Sequence, residues 1–118
     1  MIKNISNPEL KTLIKEGTHL QILDVRQPDE LFYLGYIPVA INIPMMELPV
    51  RYSELNKEKP VVVICEHGVR SVESAHYLLS LGFKDIYNLT MGMSEWDGDR
   101  VIPSQQPGSD GVYRTPAR

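Results

Sequence analysis

Strands alternating with helices along 118 residues predict a single α/β domain, with a mostly parallel central sheet flanked by helices. Three observations carry this expectation. Val61-Val62-Val63-Ile64 is a continuous apolar run with no alternation, the pattern of a strand buried on both faces of a parallel sheet. Ser71 to Leu81 repeats its apolar residues at helical spacing. Further short strand-like runs at 20–25, 40–43 and 86–89 are separated by segments that read as helix.

Taken in order, Ser6-Asn7-Pro8-Glu9 reads as a helix start. Ser6 and Glu9 have capping-box spacing, and Asn7 as cap with Pro8 at the first helical position reads almost as well. Leu10, Leu13 and Ile14 give this helix an apolar face, and Gly17 stops it. Leu20 to Val25 is a strand, Pro28 to Leu34 a short helix closed by Gly35, and Ala40 to Ile43 a second strand stopped by Pro44. Met45 to Leu55 is weakly helical and broken at Pro49. In the helix 71–81, Val72, Ala75, Leu78 and Leu79 form the expected buried side, with Glu73, His76, Tyr77 and Ser80 opposite and Gly82 as the stop. Ile86 to Leu89 is a strand and Met93 to Asp97 a short helix. After Gly98 the character changes to Pro, Gly and polar residues. The domain is therefore expected over 1–102, followed by a Pro/Gly-rich tail over 103–118.

Composition narrows the function classes. A hydrophobic fraction of 42% and a charged fraction of 23% are ordinary for a globular domain. The net charge of −3 and the scattered Lys and Arg argue against nucleic-acid and membrane-surface partners. No leader-like or membrane-length apolar run is present, and a lone cysteine suits a reducing compartment, so a cytoplasmic location is expected. One Cys and three scattered His (19, 67 and 76) do not make a four-ligand zinc site, so neither metal nor cofactor is expected.

The chemistry concentrates at Cys65. The segment Cys65-Glu66-His67-Gly68-Val69-Arg70-Ser71 joins the end of a buried strand to a helix start. Ligands of open α/β sheets bind beyond the strands' C-terminal ends. A compact loop with a central glycine, leading into a helix N-terminus, turns backbone amides inward as an anion cradle. Most free cysteines are buried small hydrophobes, but this context favours a reactive thiol.

At these residues the sequence resembles the rhodanese family. Ile22-Leu23-Asp24-Val25-Arg26 with Glu30, then Gly35-Tyr36-Ile37-Pro38-Val39-Ala40-Ile41-Asn42-Ile43-Pro44, is similar to the family's first signature. Cys65 to Ser71 is similar to its active-site loop, and Gly82-Phe83, Asn88-Leu89 and Gly92-Met93 with Trp96 to its C-terminal signature. The match runs nearly to Pro103. Tyr36, Val39 and Met91 depart from the usual His, Gly and Gly. The resemblance implies a rhodanese-like fold and a persulfide on Cys65, cradled by the amides of Glu66, His67, Gly68, Val69 and Arg70, which together form the expected substrate site. It also implies structural roles for Asp24, Arg26 and Glu30, with Arg26 and Glu30 orienting the loop after strand 20–25, and for Ser71 near the site.

The expected reaction is therefore double displacement. A small donor such as thiosulfate or a persulfide gives its outer sulfur to Cys65, and cyanide, a small thiol or a dithiol protein removes it. With a single cysteine the acceptor must come from outside, and the chain is expected as a monomer or weak dimer. Arg70 either assists an anionic donor or ties the loop to a carboxylate. His67 is placed on the rim, His76 in solvent and His19 in a loop. Glu66, beside the nucleophile, disfavours dianionic thiosulfate. Trp96 and Met45, Met46, Met91 and Met93 are packing residues, some of them an apolar collar around the thiol. Two rival readings fit the sequence less well. Cysteine phosphatases and arsenate reductases resemble a Cys-x5-Arg loop, whereas only four residues separate Cys65 from Arg70. Non-catalytic rhodanese-like modules usually lack the Cys, which is present here.

Overall fold

The computed structural model describes residues 1–105. Five strands, β1 (Ile2–Ile5), β2 (Gln21–Asp24), β3 (Ile41–Asn42), β4 (Val61–Ile64) and β5 (Ile86–Leu89), form one sheet in the order β1-β5-β4-β2-β3. Every pairing is parallel, with Leu23 facing Val63 and Ile41, and Val63 facing Asn88. Four α-helices are interleaved: α1 (Asn7–Lys15), α2 (Pro28–Leu34), α3 (Leu48–Arg51) and α4 (Val69–Ser80). None is long and apolar enough to cross a membrane.

β4 lies at the centre with all four residues buried, as its unbroken apolar run requires. Its side chains alternate between two cores. Val61, Val63 and Cys65 pack with Leu23, Val25, Leu48, Ala75, Leu78 and Phe83 on the α4 side. Val62 and Ile64 pack with Ile5, Leu10, Ile22, Ile37, Met93 and Trp96 on the α1 side. The strand thereby delivers Cys65 to the top edge of a rigid layer.

At α1 the ambiguity between caps is resolved. Ser6 is the N-cap, accepting from the Glu9 amide while the Glu9 carboxylate accepts from the Ser6 amide. Other expectations need correction. β1 is an additional strand with no signal in the sequence: Lys3 and Asn4 interrupt its apolar pattern, and it forms because the free edge of β5 supplies a parallel partner. α4 begins at Val69 rather than Ser71, and its buried stripe is Ser71, Ser74, Ala75 and Leu78. Val72 is 39% exposed, since the small side chains of Ser71 and Ser74 are what let the helix lie close on the sheet. Pro49 does not break the segment 45–55 but sits in the first turn of α3, where its missing N–H costs nothing; 3-10 turns flank it at Met45–Glu47 and Tyr52–Glu54. Met93–Glu95 is a 3-10 turn rather than a helix to Asp97.

An antiparallel bridge between Tyr36 and Val101 ties the chain after Gly98 to the body of the domain, and the 3-10 turn Pro103–Gln105 packs on α2. The expected tail thus begins in contact with the fold, and its remainder, 106–118, lies outside the described residues.

Candidate active site

Beyond Ile64 the chain turns sharply from β4 into α4. Gly68, with φ 86°, is the N-cap of α4, and a Cβ there would run into the Thr90 carbonyl. Behind the turn, the amides of Met93 and Ser94 donate to the carbonyls of Cys65 (2.9 Å) and Glu66 (3.0 Å). In a trans peptide the N–H lies opposite the C=O, so the Glu66 and His67 amides face away from that support. Gly92 permits this close contact, because a Cβ would strike the same two carbonyls.

Cys65 is 1% exposed. Its Sγ accepts hydrogen bonds from the backbone amides of Gly68 (3.1 Å) and Ser71 (3.3 Å) and donates to Ser71 Oγ at 3.3 Å. The Ser71 hydroxyl in turn donates to Asn88 Oδ1. The first-turn amides of a helix have no intrahelical acceptor, so they remain for whatever sits on the sulfur. Such a pocket stabilises negative charge on one or two atoms.

Two ion-pair assemblies fix the loop from outside. Arg26 is fully buried against fully buried Asp24, with Nη2–Oδ2 at 2.7 Å, and its Nη1 reaches Glu66 at 3.0 Å. Nη2 also donates to the Gly35 carbonyl, while Asn42 holds the Asp24 and Arg26 carbonyls. Burial opposes the charge of Arg26, but hydrogen bonds and charges of Asp24 and Glu66 outweigh it and hold the guanidinium above its ordinary pKa. Arg70 makes a bidentate pair with Glu30, both bonds at 2.7 Å. That pair raises the pKa of Arg70 and lowers that of Glu30.

All the expected site residues meet here, but two pairings differ from expectation. Arg26 and Glu30 do not orient the loop as a pair: each takes a partner forty residues on, Glu66 and Arg70 respectively. Glu66, expected to face the donor, is turned onto Arg26 with its side chain 17% exposed. A buried guanidinium already shared with Asp24 outcompetes solvent for that carboxylate. For Arg70 the open choice falls to the carboxylate tie. His67 is exposed on the rim and Val69 is 75% exposed, so these two side chains splay outward while the loop's amides turn in. His19 and His76 are exposed.

Among the methionines, Met93 is buried behind the loop and Met45 packs against the cluster containing Cys65, whereas Met46 and Met91 are exposed. The collar is thus partial. Tyr36 exchanges two backbone hydrogen bonds with Val101, and Val39 is exposed.

Sequence reasoning missed two residues. Asn88 touches the site through Ser71 and was visible only as part of a signature. Arg100 donates to the carbonyls of Leu34, Met93 and Trp96, clamping the turn that supports the loop, and burial lowers its pKa. It lies where the apolar patterning stops, and no local signal marks it.

Comparison with known proteins agrees with this geometry. The family model of the rhodanese-like domain matches residues 6–99. A protein of Bacillus subtilis named putative sulfurtransferase YtwF is 39% identical over 98 residues, covering 83% of this chain and 93% of its own. The thiosulfate sulfurtransferase GlpE of Coxiella burnetii is 36% identical, covering 81% and 88%. The crystal structure of a rhodanese-like domain protein from Staphylococcus aureus superposes with a TM-score of 0.77 at 37% identity, over 85% of this chain and 97% of that one. With the matched model spanning most of its length and these relatives covered nearly end to end, the chain belongs to the rhodanese-like family.

Proposed function

We propose that the chain is a sulfurtransferase that carries sulfane sulfur as a persulfide on Cys65. The observation that carries this reading is the pair of backbone amides, of Gly68 and Ser71, converging on Cys65 Sγ at the end of β4. They supply fixed donors where negative charge develops, with no reorganisation during reaction.

In the first half-reaction the Cys65 thiolate attacks the outer sulfur of the donor. The new S–S bond forms as the donor's own bond to that sulfur breaks, and its electron pair leaves with sulfite, if the donor is thiosulfate, or with a thiolate, if it is a persulfide. In the second, an acceptor nucleophile attacks the outer sulfur of Cys65–S–S⁻ and leaves as thiocyanate or a new persulfide, returning the thiolate. Because Cys65 is the only cysteine, no internal disulfide resolves the intermediate, and the acceptor is an external thiol, cyanide or a dithiol protein.

The engagement of Arg70 supports sulfur over phosphoryl chemistry. A tetrahedral oxyanion would need its guanidinium, and both arms are committed to Glu30. The test is Cys65→Ser, which keeps the shape of the side chain in a slightly smaller group and removes the nucleophilic sulfur. Thiosulfate:cyanide and persulfide:thiol transfer are expected to vanish with the thermal midpoint nearly unmoved. Retained transfer would refute the mechanism.

A further inference from the structure

Asn88 stands in β5 among Ile86, Tyr87 and Leu89, is 3% exposed, and pairs in register with Asn4 on one side and Val63 on the other. A position buried in a central strand ordinarily takes an apolar side chain, and an amide there must recover the hydrogen bonds it made to water. Among the described residues, the partner of its Oδ1 is the Ser71 hydroxyl, and that hydroxyl lies 3.3 Å from Cys65 Sγ.

Proton counting gives this contact a direction. An amide oxygen carries no hydrogen and a serine hydroxyl has one. Ser71 is therefore the donor to Asn88, and what it turns toward the sulfur is lone pairs. Its contact with Cys65 is then a hydrogen bond only while the sulfur supplies the proton. The chain Cys65 S–H to Ser71 O–H to Asn88 Oδ1 satisfies a thiol. An ionised sulfur would meet an oxygen lone pair.

We propose that Asn88 is a positioning residue that governs the charge state of Cys65 through the Ser71 hydroxyl. While Asn88 holds the hydroxyl proton the site favours the thiol; when the hydroxyl swings from Asn88 to the sulfur, the site favours the thiolate. On ionisation the S–H proton leaves to water or buffer base. The Ser71 O–H then rotates, breaking its bond to Oδ1 and forming one to the sulfur, with no covalent bond remade. The Gly68 and Ser71 amides bond the sulfur in both states, so the hydroxyl is a third donor supplied only to the anion. The resting thiol is thereby held back from adventitious electrophiles. This inference rests on Cys65 as the reacting group. Its test needs no sulfur donor, so its failure and a failure of the sulfurtransferase reading appear in different assays.

The experiment is the pH profile of iodoacetamide alkylation of Cys65 in the full chain, with urea unfolding run on every variant. Asn88→Leu, of similar size with no acceptor, frees the hydroxyl for the sulfur. It is expected to raise the rate on the acid limb roughly two- to ten-fold, the range that one net hydrogen bond represents. In a Ser71→Ala background the same change is expected to leave the profile alone, because Asn88 acts only through that oxygen. Asn88→Asp holds the proton more firmly and adds negative charge, so it slows alkylation, and it carries the test if Asn88→Leu does not fold. An unchanged or slower rate in Asn88→Leu, an equal rise without Ser71, or acceleration or no change in Asn88→Asp would overturn the proposal.

Discussion

Replacing Arg26 with methionine removes the cation at the centre of the site while keeping an unbranched side chain of comparable reach. In the folded protein its guanidinium contacts both oxygens of Asp24, one oxygen of Glu66 and the Gly35 carbonyl, and both Arg26 and Asp24 are wholly buried. The substitution strands the Asp24 carboxylate with one surviving bond to its side chain, from the backbone amide of residue 26. Breaking a buried pair by removing one partner costs about 3–5 kcal/mol. Since that amide still serves Asp24, and Glu66 can turn to solvent, the lower end, about 3 kcal/mol, is expected. For a chain of 118 residues that lowers the thermal midpoint by roughly 12 °C. The assay is urea unfolding of wild type, Arg26→Met, Asp24→Asn and the double variant, with m held constant across the set. The double variant removes both charges, so it is expected to be more stable than the sum of the single losses by about 1–3 kcal/mol. A loss below about 1 kcal/mol in Arg26→Met, or strict additivity in the cycle, would refute the reasoning.

Two further outcomes follow from the same charges. Glu66→Gln keeps an oxygen for Arg26 but removes a negative charge beside the nucleophile. At ~7 Å one charge pair is worth about 0.6 kcal/mol in water and about 2.4 kcal/mol at an effective dielectric near 20. With screening, thiosulfate kcat/KM is expected to rise roughly two- to ten-fold at low salt and less at high salt; no change at low salt would mean the donor does not sense this carboxylate. Hydrogen bonding from Arg70 lowers the Glu30 pKa below its ordinary 4.5, so Glu30 contributes stability that is present above that value and lost as pH falls through the lower folded value. Glu30→Gln is accordingly expected to lose less stability than wild type between about pH 4.5 and acid unfolding, and parallel acid titrations of the two would contradict this.

What was legible in the sequence was whatever is encoded locally. Ser6 and Glu9 are three residues apart, and the cap they form needs nothing else. The unbroken run 61–64 announces burial on both faces, and the loop behind it follows from Gly68 and the helix start. What stayed hidden depends on partners distant in the chain. β1 has no apolar alternation of its own and exists through β5. Arg26 and Glu30 have the right spacing for each other, yet Glu66 and Arg70 are brought close by the fold and offer better geometry. The buried face of α4 is hidden from apolar periodicity because Val72 is more apolar than Ser71 or Ser74, whereas close approach to the sheet selects for small size.

The most direct test of the central claim is intact-protein and peptide mass spectrometry after incubation with thiosulfate or a small-molecule persulfide, followed by cyanide. The account predicts that wild type gains one sulfur atom, that the gain maps to the peptide containing Cys65, that cyanide removes it as thiocyanate, and that Cys65→Ser shows none of this. A folded wild-type protein that gains no sulfur from either donor, or gains it at a residue other than Cys65, would contradict the account.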